Sequence, residues 1–283
     1  MEGLSASARR AAQTARRRIR RVARAVRDTI RLFTRPVPAG TRPYVLAGVV
    51  YGHASAGVRV CHRLVHELNE RGYRAYSTEE ANPDWNETQI LFYGLWRRFH
   101  DPIAIYSEVV SGNPLGATRV VRWVLNTPGH IAGDLEFPPS ELIYTWSKQY
   151  YDTDRILIID VTEHEIFNSV DLPPKTVDCF YMGKAALRGV EAMPLTDGMT
   201  EITETWPAQR PELADLLRRT RTLYSYDDRT SLAWEALLCG CRVIILPENH
   251  EITMADAKRD MPDTDFEGQL TRFIEETQGE WPI

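Results

Sequence analysis

Two kinds of apolar pattern alternate along the chain. Short unbroken runs of four to eight residues read as buried strands, and apolar residues recurring every three or four positions read as amphipathic helices. The first strand-like run is Tyr44–Tyr51 (YVLAGVVY). A helical pattern over Val58–Arg71 follows, with Val58, Cys61, Leu64, Val65 and Leu68 on one face and Gly72 at its end. Tyr73–Ser77, Ile103–Val110, Val120–Leu125 and Glu141–Trp146 are the next strand runs. Further on, Asp154–Ile159, Thr176–Tyr181, Thr222–Tyr226 and Arg242–Leu246 repeat the signal, with a weaker run over Ile202–Thr205. Helical patterns over Pro211–Thr220, Ser231–Cys239 and Phe266–Thr277 separate or follow them. Strands alternating with helices in both halves predict an α/β chain of two Rossmann-like domains facing a cleft. The predicted division is a helix and proline-rich linker over 1–40, a first domain over 41–149, a second over 150–260, and a C-terminal helix and tail over 261–283.

The first forty residues follow a different rule. Ile19, Val22, Val26, Ile30 and Phe33 share one face of a helix predicted over residues 8–33, and arginines fill the rest. Residues 1–35 carry eleven arginines against Glu2 and Asp28, a net +9, so the overall charge of −5 leaves −14 on the remaining 248 residues. An apolar stripe beside a broad basic face suits an anionic membrane surface. The same charge could hold the phosphates of DNA or rest on the acidic body. The run Thr34-Arg-Pro-Val-Pro-Ala-Gly40 ends the helix.

Composition adds exclusions. With 43% hydrophobic and 26% charged residues the chain is neither disordered nor fibrous. No run of eighteen apolar residues exists, so a cytoplasmic protein is expected, peripheral on the inner membrane face if the basic helix binds lipid. Cys61, Cys179, Cys239 and Cys241 form no CxxC pair, which predicts reduced thiols and no zinc site.

Three loops carry candidate chemistry. Gly52-His-Ala-Ser-Ala-Gly57 joins a strand to a helix start, where glycines admit a ligand and the helix end attracts an anion. His53, Ser55 and Arg59 add polar groups there. Asn126-Thr-Pro-Gly-His130 follows a strand and offers His130 to a substrate hydroxyl or phosphate. The third runs Tyr224-Ser-Tyr-Asp-Asp-Arg-Thr-Ser-Leu-Ala-Trp-Glu-Ala-Leu-Leu-Cys-Gly-Cys-Arg-Val. There a strand ends in an acidic, hydroxyl-rich loop, Thr230 or Ser231 caps the next helix, and Glu235 lies one turn in. Glu235 could accept bonds from a ribose diol, and the free amides at the helix start could bind a phosphate.

This third segment resembles the nucleotide-sugar site of GT-B glycosyltransferases, in particular the retaining family-4-like group. In that group an acid, seven residues and a glutamate precede a run of the form E-A-x-x-x-G-x-P-V. Asp227, seven residues and Glu235-Ala-Leu-Leu-Cys-Gly-Cys-Arg-Val243 fit it, with Asp for the first glutamate and Arg242 for the proline. The resemblance implies that Glu235 holds the donor ribose, that Asp227 faces the donor sugar, and that Thr230 and Ser231 meet the diphosphate. Tyr181-Met-Gly-Lys184 resembles the loop that places a basic residue on the pyrophosphate, so Gly183 and Lys184 join the donor set. Gly52 and Gly57 match the first-domain loop near the donor phosphates, and His130 the first-domain histidine near the transferred sugar. His53, Ser55 and Arg59 are then on the acceptor side.

The function so implied is transfer of a hexose or pentose from a nucleotide-diphosphate sugar to a glycan or lipid-linked acceptor. Lys184 and helix amides, rather than a metal or other cofactor, would neutralise the leaving group. His130, Lys184 and Asp227 are the candidate catalytic residues, and no protein nucleophile is assigned. The one literal DxD, Asp152-Thr-Asp154, begins a predicted strand instead of ending one. Two alternatives stay open. One is a glycosyltransferase acting on modified bases of phage DNA, with the +9 segment as the DNA contact. The other is a non-catalytic nucleotide-sugar-binding paralogue.

Overall fold

The computed structural model describes residues 40–281 apart from 53, 99 and 257–264. The helix predicted over 8–33 therefore lies outside the described residues, as does His53. The described chain is α/β, built on two five-stranded sheets that are parallel except at one edge. That arrangement is compatible with two Rossmann-like domains.

The first sheet has the order β2-β1-β3-β4-β5 and is parallel throughout. Its strands are β1 (Tyr44–Leu46), β2 (Ala75–Ser77), β3 (Ile103–Ser107), β4 (Arg119–Val124) and β5 (Leu142–Thr145). Helix α1 (Ala56–Glu70) joins β1 to β2, and a single turn, α2 (Tyr93–Trp96), lies before β3. Both faces of this sheet are covered, which is why its strands read as unbroken apolar runs. Tyr44, Leu46, Ile103 and Ile105 face one core with Leu64, Leu68 and other α1 residues. Val45 packs beside Tyr76, Ile90 and Trp96, and Ala47, Ala104 and Tyr106 pack together, in further clusters.

The second sheet has the order β10-β9-β8-β6-β7. Its strands are β6 (Val177–Tyr181), β7 (Thr200–Ile202), β8 (Thr220–Ser225), β9 (Arg242–Ile245) and the antiparallel edge β10 (His250–Ile252). A 3-10 helix over Gly183–Arg188 follows β6. Helices α3 (Arg210–Arg219) and α4 (Ser231–Leu238) precede β8 and β9. Leu217 of α3 and Ala233 and Ala236 of α4 share a core with Cys179, Leu223 and Val243.

Two segments sit where the sequence pattern does not place them. The run predicted as the first strand of the second half, Asp154–Ile159, lies instead along the edge of the first sheet. Thr145 N–H donates to Arg155 O at 2.9 Å, and Leu157 N–H donates to Thr145 O at 3.0 Å. Leu157 and Ile159 are buried in the first core. The last helix, α5 (Phe266–Gln278), also returns to that core through Leu270, Phe273 and Ile274. Thr277 Oγ1 lies 2.6 Å from the Tyr44 hydroxyl, and Tyr144 donates its hydroxyl proton to Glu276 at 2.8 Å. Among the described residues no helix is long and apolar enough to cross a membrane.

Candidate functional site

Each parallel sheet has one point where the chain reverses its direction of strand addition, and the loops leaving the carboxyl ends of the strands there splay apart into a crevice. In the second sheet that point lies between β6 and β8, because the chain goes from β6 out to β7 and then back across to β8. The loops after those two strands hold Gly183 and Lys184 on one side and Asp227, Thr230 and Ser231 on the other. All five are residues that the sequence singles out, and the fold brings them to one place.

Asp227 organises this junction. It is 1% exposed. Its Oδ2 accepts the Lys184 backbone N–H at 3.1 Å, its Oδ1 accepts the Arg229 N–H at 3.1 Å, and the Lys184 ammonium stands 4.0 Å from Oδ2. The approach depends on Gly183, which has φ +51; a Cβ there would lie 2.5 Å from Tyr181 Cε1 and 2.8 Å from Asp227 Oδ2. Only glycine lets the loop close this tightly over the carboxylate. Thr230 has an extended backbone and caps α4, its hydroxyl accepting Leu232 N–H at 3.2 Å. The capped helix start opens on a cleft lined by Tyr181, Ile202, Gln209, Arg210, Thr230, Ser231 and Glu235, with Ala54 of the loop after β1 on its rim. Burial, with Asp227 next in effect, pushes the Tyr181 phenol up to about 12, so it stays a neutral hydroxyl in this wall.

Glu235 is 2% exposed and is already heavily engaged. Its Oε1 accepts from Arg59 Nη2 at 3.1 Å and from Arg210 Nη2 at 2.8 Å, and its Oε2 accepts from Arg210 Nη1 at 3.1 Å. A carboxylate has about four acceptor positions. Three are taken, so at most one is left for a ribose hydroxyl, and a bidentate grip on the diol would require an arginine to move. Arg59 comes from α1, which packs on the first sheet, and also donates to Val161 O at 2.9 Å. Arg210 pairs with Glu163 as well, at 2.8 Å. Burial pulls the Arg59 guanidinium below its ordinary value despite Glu235. Burial acts on Arg210 in the same sense, but two carboxylates outweigh it and its value rises.

In the loop after β4, His130 is half-buried, and its backbone N–H donates to Thr127 O at 3.0 Å. Its Nε2 is shielded from solvent with no hydrogen-bond partner among the described residues. Burial, then the charges of Arg229, Arg188 and Lys184, hold its imidazole below the ordinary value, and Asp227 opposes them. Arg229 joins the loop after β8 to the loop after β4: its Nη1 donates to Asn126 Oδ1 at 3.2 Å and to Thr127 Oγ1. Ser55 caps α1, accepting Val58 N–H at 3.4 Å, and is otherwise exposed. Gly52 and Gly57 have no positive φ, and a Cβ at either would meet nothing closer than 3.7 Å. The protein's own geometry therefore does not demand glycine at those two positions.

Three residues at the site have no counterpart among the sequence candidates. Arg229 lies in the acidic loop after β8, between Asp228 and Thr230. Arg210 lies at a helix start with no motif around it. Glu108, just past β3, stands by the reversal point of the first sheet, between β1 and β3. Its Oε2 accepts Leu125 N–H at 2.9 Å, and burial raises its carboxyl above the ordinary value, against the opposing charges of Lys184 and Arg122. Among the described residues no group of three or more His, Cys, Asp or Glu side chains is placed to hold a metal ion. No protein-family model, curated protein or solved structure matches the chain.

Proposed function

We propose that the protein is a glycosyltransferase of the GT-B type, taking a nucleotide-diphosphate sugar as donor and a glycan or lipid-linked hydroxyl as acceptor. The observation that carries this reading is the convergence of Lys184, Asp227 and the Thr230-capped start of α4 on the reversal point of the second sheet, with His130 and Arg229 facing them from the domain interface. A helix start and an ammonium together make a diphosphate site. The base and ribose then lie in the cleft between β7 and α4, with one Glu235 oxygen and the Thr230–Ser231 turn within the same wall.

In the reaction the bond between the sugar C1 and the diphosphate oxygen breaks, and the acceptor oxygen forms the new bond to C1. The acceptor proton leaves with the nucleoside diphosphate. Lys184 and the α4 amides stabilise the charge that develops on the departing oxygen. His130, its imidazole held below its ordinary value and its Nε2 without a partner among the described residues, is suited to hold a sugar hydroxyl. Asp227 positions Lys184 through its backbone and its charge.

A thermal-shift series with UDP, GDP, ADP, CDP and their sugars tests the reading. A ligand present at 100 times its dissociation constant stabilises by about 2.7 kcal/mol. A shift with one base, reduced in Lys184→Ala, is the expected result. No shift with any of them removes the nucleotide-sugar reading.

A further inference from the structure

The ion chain across the cleft, buried at every member but Glu163, has a geometry that a merely structural brace does not need. It runs Glu163–Arg210–Glu235–Arg59, and only its last member belongs to the first domain. Arg59 is 5% exposed and Glu235 2%. Their 3.1 Å contact joins α1 to α4, helices that follow strands of different sheets. Arg59 Nη1 also grips Val161 O, in the connection between the sheets, so one guanidinium touches both domains and the link between them. Its Nε is buried with no partner among the described residues. A buried charge pair holds only while both partners stay; removing one strands the other. Glu235 therefore has its full set of bonds only when the two domains stand close enough for Arg59 to reach it.

We infer that Arg59 is a positioning residue, which fixes the Glu235 carboxylate from the opposite domain and thereby makes donor affinity depend on domain closure. This rests on the reading of Glu235 as a donor ligand. Arg210 supplies two of the carboxylate's three bonds, independent of closure, and Arg59 supplies the one that depends on it. A nucleotide held by Glu235 favours the closed arrangement to the extent that the closed arrangement orients Glu235, because the two effects are one linked equilibrium.

The test measures nucleoside-diphosphate affinity by calorimetry, with whichever of UDP, GDP, ADP and CDP binds the full chain, for the wild type, Arg59→Gln, Arg59→Lys, Glu235→Gln and the Arg59→Gln/Glu235→Gln double variant. Small-angle X-ray scattering follows domain closure in the same samples. Expected is a loss of at least about tenfold in affinity for Arg59→Gln, equivalent to about 1.4 kcal/mol. Partial recovery in Arg59→Lys is expected, with no further loss in the double variant beyond Glu235→Gln alone. The Arg59→Gln protein should also have a larger radius of gyration, reduced toward the wild-type value by saturating nucleotide. A folded Arg59→Gln variant that binds as the wild type does overturns the inference and leaves the donor site standing. Additive losses in the double variant overturn it too, since Arg59 would then act without Glu235. If no nucleoside diphosphate binds the wild type, the glycosyltransferase reading falls and this inference with it.

Discussion

Asp227 holds Lys184 at two points, its Oδ2 accepting the backbone N–H at 3.1 Å and standing 4.0 Å from the ammonium. The carboxylate sets where the ammonium stands, and in the proposed reaction that ammonium meets the departing phosphate. Lys184 is 29% exposed, so its charge pair with Asp227 adds little to stability. Lys184→Ala is expected to lower donor turnover by a factor of roughly a hundred, in the range for removing one preorganised group that meets transition-state charge. Its melting temperature should stay close to that of the wild type. Full turnover in that variant would remove Lys184 from the chemistry.

Gly183→Ala tests the closure of the same loop. The new methyl would meet Tyr181 Cε1 and the Asp227 side chain at a residue with φ +51. Two costs add there, the left-handed backbone and the clash, for roughly 2–4 kcal/mol together. Both stability and turnover should fall, because the displaced atoms belong to Asp227. An Ala variant that melts and turns over like the wild type would show that the loop has another arrangement available.

Glu235 separates stability from binding less cleanly than its sequence position suggests. Read from the motif alone, Glu235→Ala weakens the donor and spares the fold. The structure reverses the second half: removing the carboxylate leaves Arg59 and Arg210 buried without their shared partner. A loss of about 3–5 kcal/mol is expected for such an unpaired buried charge. Chemical denaturation of Glu235→Ala and Glu235→Gln checks this, with the Gln variant the milder because it keeps a carbonyl acceptor. A Glu235→Ala protein of wild-type stability would mean that the arginines find other partners.

Two titrating groups give pH predictions of known sign. His130 has a folded value below 6.5, so between that value and 6.5 the unfolded chain takes up a proton that the folded one refuses. Its contribution to stability is therefore lost as pH falls through that window. The His130 ring proton resonances should titrate below those of exposed histidines, and titration at or above the ordinary range would contradict the crowding by Arg229, Arg188 and Lys184.

Glu108 runs the other way. Its folded value lies above 4.5, so the ionised form is disfavoured in the fold and the cost grows as pH rises through the raised value. Glu108→Gln keeps an acceptor for Leu125 N–H and removes the charge. It should melt higher than the wild type at pH 7, with the advantage vanishing below pH 4.5. A lower melting temperature at pH 7 would show that the charge of Glu108 is needed where it stands.

The strands were legible because both faces of each sheet are covered, which forces runs such as Ile103–Ser107 and Arg242–Ile245 to be apolar almost throughout. The edge strand His250–Ile252 escaped notice, since two of its three residues are polar and exposed. The apolar run Asp154–Ile159 predicts a strand but not which sheet it joins, because such a run says nothing of the edge it meets. The gathering of Lys184, Asp227, Thr230 and Ser231 was foreseeable from loops that follow strands. The pairing of Arg59 with Glu235 was not, because 176 residues separate them and neither carries a local signal of its partner.

The return of α5 to the first core orders events in time. Leu270, Phe273 and Ile274 complete a core whose other buried members end at Ile159. During synthesis the whole second sheet leaves the ribosome before the helix that finishes the first one. Domains otherwise fold in the order in which they are made. Here the first must wait with an open apolar face, while Tyr44 and Tyr144 lack Thr277 and Glu276. A nascent chain stalled before Phe266 should leave its N-terminal half open to proteases and its C-terminal half already resistant.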